Sequence, residues 1–257
     1  MTGLFKKKRK GRSVAVFIDF EHWCYSLENQ FGMRPDVKNF FDELSGKYTI
    51  KRVYFFGDFT SSVLRNEINH IREYTNNIID TQNPSQRTKK DYTDFIMLDY
   101  MYRDIEEKDK ADTYVIFSGD GHFTSVAAYL KNKKKKRIIV YGIQNSTSNR
   151  LKAVADECIV LPTPQQQSNY YKSLVLTSIK HNVSKYGKKH YTTFRKTAEC
   201  VSNYYGVEFS AINKVMAEML KNGVLVKSEE LLGTSRKITT INVDWNLAEK
   251  EGLMVFA

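Results

Sequence analysis

The chain has 257 residues, long for one small domain and sufficient for two. Its 41% hydrophobic and 13% aromatic content excludes wholesale disorder, and no stretch approaches the ~18 consecutive apolar residues of a membrane span. The net charge of +11 is that of a chain that attracts polyanions, nucleic acid being the usual one, and its placement matters more than its size. Residues 1–167 hold 27 Lys/Arg against 21 Asp/Glu, but twelve of those cations sit in two clusters, residues 6–12 and 131–137. Without the clusters this part would be net acidic, so basic patches surround an acid-rich centre. Cys24, Cys158 and Cys200 are far apart and form no Cys-x-x-Cys pair, so neither a disulfide framework nor a zinc ribbon is expected. The first ten residues have no apolar segment after their charges, unlike a secretory signal. The expectation is a cytoplasmic protein with no membrane association.

Residues 1–12 read as a disordered basic arm. Val14 to Asp19 is a continuous apolar run ending in an acid, which fits a strand buried on both faces of a parallel sheet. Pro35 to Leu44 has helical spacing. Ile50 to Phe56 reads as a strand, Ser62 to Tyr74 as one helix, Asn76 to Thr81 as a third strand, and Pro84 to Lys90 as polar loop. Asp94 to Arg103 predicts a helix and Ala111 to Ser118 a central strand. Phe123 to Lys131 follows as helix, Arg137 to Tyr141 as strand, Ser148 to Ala155 as a short helix with Ser148 as N-cap, and Cys158 to Leu161 as a last strand. Alternating strands and helices imply a doubly wound α/β structure, its sheet mainly parallel with helices on both faces.

Residues 163–169, polar and punctuated by proline, read as a linker. Beyond it, helices are predicted at Tyr170 to Lys185, Thr192 to Tyr205 and Ser210 to Asn222, with Thr192 and Ser210 as N-caps and Gly223 as a stop. Two strand-like runs follow, Val224 to Lys227 and Lys237 to Val243. Three helices and a hairpin is the winged-helix order, so the division is an arm 1–12, an α/β domain 13–162, a linker 163–169 and a winged-helix-like domain 170–257.

An open parallel sheet places its ligands beyond the carboxyl ends of its strands. Asp19 follows the first strand, Asp120 follows the strand through Val115, and Asp94 opens a helix aimed at the same crevice. Clustered carboxylates repel one another at low dielectric. They are tolerated around a divalent ion, and hard oxygen donors suit magnesium or manganese. Such an ion activates water and stabilises charge at phosphorus. Taken singly, Asp94 would be an N-cap and Asp120 a turn former.

Three segments, Phe17-Ile18-Asp19-Phe20-Glu21-His22, the run from Lys90 to Asp99, and Phe117-Ser118-Gly119-Asp120-Gly121-His122-Phe123, resemble successive motifs of the NYN domain, a branch of the PIN-like nucleases. Val140 to Leu151 and Ala155 to Ile159 are similar to its closing part. The resemblance covers roughly residues 12–162 and implies a metal-dependent endoribonuclease fold with Asp19, Asp94 and Asp120 as its acidic cluster; the first functional expectation is an endoribonuclease that prefers single-stranded RNA. The chain departs from the family pattern at His122, where many members have a second acid, and at His22, where the first motif commonly ends in Asn. His122 joins the acids as a catalytic candidate, and either histidine could touch a metal or protonate a leaving oxygen. Asp99 is a fourth metal candidate, although five residues turn it about 140° from Asp94 on a helix. Glu21 is aimed with Asp19 only if the strand continues. Ser118 and Thr93 place hydroxyls at the same ends.

Lys89, Lys90, Lys133, Lys134 and Lys135 are candidate nucleic-acid contacts in the first domain. Lys188, Lys189, Lys214, Arg236 and Lys237 are their counterparts in the second, where Tyr204 and Tyr205 could stack bases. A nuclease of this type joined to a small helical module also resembles proteins bearing an OST-HTH (LOTUS) domain. DNA as a substrate and a homodimer are left open. Two other readings compete. One is an RNA-binding adaptor on a crippled site, favoured by His122. The other is a phosphatase of the haloacid dehalogenase type, for which Glu21 is the wrong second acid.

Overall fold

The computed structural model describes residues 12–82, 92–186, 192–232 and 236–253. Lys89, Lys90, Lys188, Lys189, the arm 1–11 and the side chain of Arg236 lie outside the described residues. The chain packs as two compact units, one of residues up to 30 with 34–161, the other of 31–33 with 162 onward.

The first unit is built on a six-stranded sheet in which every neighbouring pair is parallel. Its strands are β1 (Ser13–Asp19), β2 (Thr49–Gly57), β3 (Ile78–Asp80), β4 (Thr113–Phe117), β5 (Arg137–Ile143) and β6 (Glu157–Leu161), in the order β3-β2-β1-β4-β5-β6. β1 lies at the centre and all seven of its residues are buried, as expected for an unbroken apolar run in a parallel sheet. The chain winds outward from β1 to one edge, then returns to β4 on β1's other side and winds to the opposite edge. The carboxyl ends of β1 and β4 therefore diverge into a crevice.

Helices cover both faces. α1 (Phe20–Phe31) and α2 (Val37–Lys47) pack an aromatic layer on one face, where Trp23 stacks on Phe117 with ring centroids 4.2 Å apart and Phe40 meets Tyr141 edge-on at 5.0 Å. α5 (Tyr92–Glu106), α6 (Thr124–Asn132) and α7 (Asn149–Val154) bury Met97, Met101, Val126, Leu130 and Leu151 against Ala15, Phe17 and Ile116 on the other. Between β2 and β3 the single helix expected over 62–74 is two short ones, α3 (Ser62–Arg65) and α4 (Ile68–Arg72). The ladder breaks at Asn66 and Glu67, and Glu67 is buried beside His70.

At the amino ends of the strands, Asp104 of α5 is buried and receives three hydrogen bonds. Arg52 of β2 donates two, that from Nη2 at 3.1 Å, and Tyr114 of β4 donates one from its hydroxyl at 2.8 Å. The lock ties α5 to two strands at the end away from the crevice.

The second unit has helices α8 (Pro164–Tyr186), α9 (Phe194–Tyr205) and α10 (Phe209–Lys221), an antiparallel hairpin of β7 (Leu225–Leu232) and β8 (Arg236–Val243), and α11 (Trp245–Lys250). Residues 163–169, expected as a linker, belong instead to the start of α8. Thr163 Oγ1 accepts from Gln166 N at 3.2 Å while Gln166 Oε1 accepts from Thr163 N at 2.8 Å. That reciprocal cap, with Pro164 as the first helical residue, is a helix start written in residues that also compose linkers. The other caps differ too: Thr193 and Glu208 stand where Thr192 and Ser210 were expected, and neither they nor Ser148 cap through a side chain. Among the described residues no helix is long and apolar enough to cross a membrane.

Candidate metal centre at the β1/β4 crevice

β1 passes into α1 without an intervening residue. Asp19, last in the strand, accepts from His22 N at 2.9 Å through Oδ1 and so caps α1. Its other oxygen accepts from Ser118 Oγ at 3.1 Å, and Ser118 Oγ in turn accepts from Asp120 N at 3.1 Å. One hydroxyl thus links the ends of β1 and β4. Asp19 is only 7% exposed, and burial, reinforced by the charges of Asp94 and Glu21, pushes its pKa up to about 7 against the pull of the two hydrogen bonds.

Asp120 caps the 3-10 turn Gly121–Phe123 by accepting from His122 N at 2.8 Å. That turn brings the His122 ring back over the crevice. Its Nδ1 lies 3.2 Å from Asp94 Oδ2 and 3.3 Å from Asp120 Oδ1, and it donates toward them in the tautomer that carries the proton there. Asp94, in the first turn of α5, is largely covered, its side chain 13% exposed. One ligand atom from each of Asp94, Asp120 and His122 falls within 4.8 Å of the others.

Gly119 lets this turn close. A Cβ there would lie 1.9 Å from the Ser146 carbonyl oxygen and 2.3 Å from His22 Cε1, so only glycine fits. His22 packs beneath it. Burial pulls the imidazole's pKa down to about 4, against the charge of Asp120, and Nε2 is buried with no hydrogen-bond partner among the described residues. Thr93 Oγ1 and Thr81 Oγ1 hydrogen-bond at 2.7 Å, joining the start of α5 to the residue after β3.

The expected residues therefore divide. Asp94, Asp120 and His122 form one donor group. Asp19 stands next to it, joined through Ser118. Asp99 is turned away, half-exposed and paired with Arg103 at 2.7 Å. Glu21 lies in α1, not on an extended strand, and accepts from Asp58 N. The sequence reading missed the helix α1 and the close contact at Gly119. The burial period of Phe20, Trp23, Cys24 and Leu27 signals the first, and the Gly-Asp-Gly run at a strand end signals the second. Among the basic candidates, Lys133, Lys135 and Lys214 are exposed. Lys134 pairs with Glu106 at 3.0 Å and Lys237 with Glu229 at 3.3 Å.

Two carboxylates and an imidazole nitrogen at this spacing suit a divalent cation. Hard oxygen donors of this kind are those that magnesium and manganese take.

Comparison with known proteins agrees with this geometry. No curated protein matches the chain. Among solved structures, a protein of unknown function from Vibrio parahaemolyticus aligns over 63% of this chain and 97% of its own, with a TM-score of 0.52 and 17% identity, a likeness of fold alone. The family model for the NYN domain matches residues 13–162. NYN domains are generally nucleases with a PIN-like fold, and PIN-like nucleases typically use divalent metals. With more than half its length matched, and acids meeting at the carboxyl ends of β1 and β4, the chain belongs to the NYN domain family.

Proposed function

We propose that the protein is a metal-dependent endoribonuclease acting on single-stranded RNA. The observation that carries this reading is the meeting of Asp94, Asp120 and His122 within 4.8 Å beside the buried Asp19. Asp94, Asp120 and His122 would hold the ion. When bound, magnesium or manganese would supply positive charge to the scissile phosphate and make a water more acidic. The chain's own residues set the geometry. Asp120 is held by its cap on the 3-10 turn and tied to β1 through Ser118 and Asp19, and Asp94 is held by the first turn of α5. His122 Nδ1 lies at the gap between the two carboxylates, where it lowers their mutual repulsion when it carries the ring proton and would face the ion with its lone pair when it does not. The three helices and hairpin of the second unit support a winged-helix, RNA-holding module, with Lys214 exposed on α10.

Asp120→Asn tests the proposal. Asn keeps an oxygen to cap His122 N and removes the charge. Manganese-dependent cleavage of a single-stranded RNA is expected to fall by at least about a hundredfold while the thermal midpoint holds. Undiminished cleavage would overturn the assignment. A second reading, an RNA-binding adaptor, is favoured by His122, whose Nδ1 already occupies the space between the carboxylates. RNA binding that survives the combined loss of Asp19, Asp94 and Asp120, without cleavage in either metal, supports it.

A further inference from the structure

α5 has a face that its fold does not use. Its inner positions Met97, Met101 and Ile105 are in the core. Its exposed positions are Tyr92, Phe95, Asp99, Tyr102, Arg103 and Glu106, the 3,4-spaced stripe on the opposite side. Phe95 is 67% exposed, an unusual place for a phenyl ring. Tyr129 of α6 extends the stripe, its ring centroid 6.3 Å from that of Tyr102. Among the described residues of the first unit, the exposed large hydrophobics are Tyr25, Tyr92, Phe95, Tyr102 and Tyr129, so four of these five share this surface. None of the five is aliphatic.

The two ends of the stripe say what it meets. One end is the metal centre, since Phe95 follows Asp94 directly. The other is the turn after α6, where Lys134 lies over the Tyr129 ring at 5.6 Å and Lys133 and Lys135 are exposed. The acids along the way are balanced: Asp99 pairs with Arg103, and Glu106 with Lys134. Tyr92 and Tyr102 are ten residues apart, about 15 Å along the helix, enough for several nucleotides. An acidic centre, a row of aromatic rings and a terminal basic cluster match a single strand, whose bases stack on rings and whose phosphates meet lysines.

We infer that the exposed α5/α6 face, through Phe95, Tyr102, Tyr129, Lys133 and Lys135, is a base-stacking track that carries single-stranded RNA from the metal centre along the first unit. The inference rests on the proposed function for its choice of RNA, but it is tested without cleavage. Binding of a short fluorescein-labelled oligouridylate to the full chain is followed by anisotropy in EDTA. Phe95→Ala and Tyr102→Ala should each weaken binding by about five- to 150-fold. Phe95→Trp should restore it, and affinity for a blunt duplex RNA should not change, because paired bases cannot stack on the protein. These rings are exposed, so the variants keep the native thermal midpoint within a degree or two. If wild-type protein cleaves RNA but Phe95→Ala and Tyr102→Ala bind and cleave like it, the track is wrong and the nuclease stands. If binding depends on both rings but no metal supports cleavage, the track stands and the nuclease reading fails. If the variants change only self-association in sedimentation, the face is a protein interface and the inference is overturned.

Discussion

Asp19 sits where its own charge is unwelcome. Its pKa in the fold, about 7, stands above the value of ~3.9 for an unfolded aspartate, so the native state holds a proton that the unfolded chain releases. Ionisation therefore opposes folding from about pH 4 upward, and the loss is complete once the pH passes about 7, reaching no more than about 4 kcal/mol. Asp19→Asn in EDTA should melt higher than wild type at about pH 8, with the gap closing below about pH 4; equal midpoints throughout would show that the site does not strain the fold. Gly119→Ala should do the reverse. The Ser146 carbonyl in its way is backbone, so the turn must shift, and we expect cleavage to fall at least about tenfold with about 1–3 kcal/mol of stability lost in urea unfolding. Asp19, Asp94 and Asp120 were legible in the sequence because each stands where a strand ends or a helix begins. Their ranking was not. Spacing treats the three acids as equals, whereas the packed chain buries Asp19 and sets His122 beside the other two. Which side chain is covered depends on long-range contacts, such as Ser118 with Asp19, that no local pattern encodes.

At the scale of elements, apolar runs announced the strands because a parallel sheet covered on both faces needs them. The helices failed in three ways. α1 was hidden by following β1 without a break, α3 and α4 were fused across Asn66 and Glu67, and the first turn of α8 passed for a linker. In each case the deciding signal was a cap or a junction, not a period. The lock at Asp104 was also invisible, since its partners lie 52 and 10 residues away. Asp104→Ala strands the buried Tyr114 hydroxyl and leaves the partly covered Arg52 guanidinium with its bond to the Asp109 carbonyl. It should lower unfolding free energy by about 3 kcal/mol in urea titration, while affinity for manganese, read by calorimetry on the folded protein, stays at its native value. A change in metal affinity would show that the lock and the site are coupled along α5.

Over the whole molecule, the charge that the described residues show is local: Asp19, Asp94 and Asp120 stand at the crevice, and Lys133 and Lys135 are exposed after α6. The second unit carries its own positive balance, 13 Lys/Arg against 8 Asp/Glu beyond residue 167. Affinity for a single strand should fall linearly with salt on logarithmic axes, by about 0.7 for each phosphate neutralised. Replacing Lys133 and Lys135 together by alanine should flatten that slope by about 1.4, whereas Phe95→Ala should shift the line without tilting it. A slope unaffected by the two lysines would place the phosphates elsewhere. The crevice itself is a property of wiring. It opens because the path leaves β1 in one direction and β4 in the other, and no side chain is needed to hold it apart. Residues lining it, Gly119 excepted, can then be exchanged, during evolution or at the bench, and the receptacle will persist to receive a different chemistry.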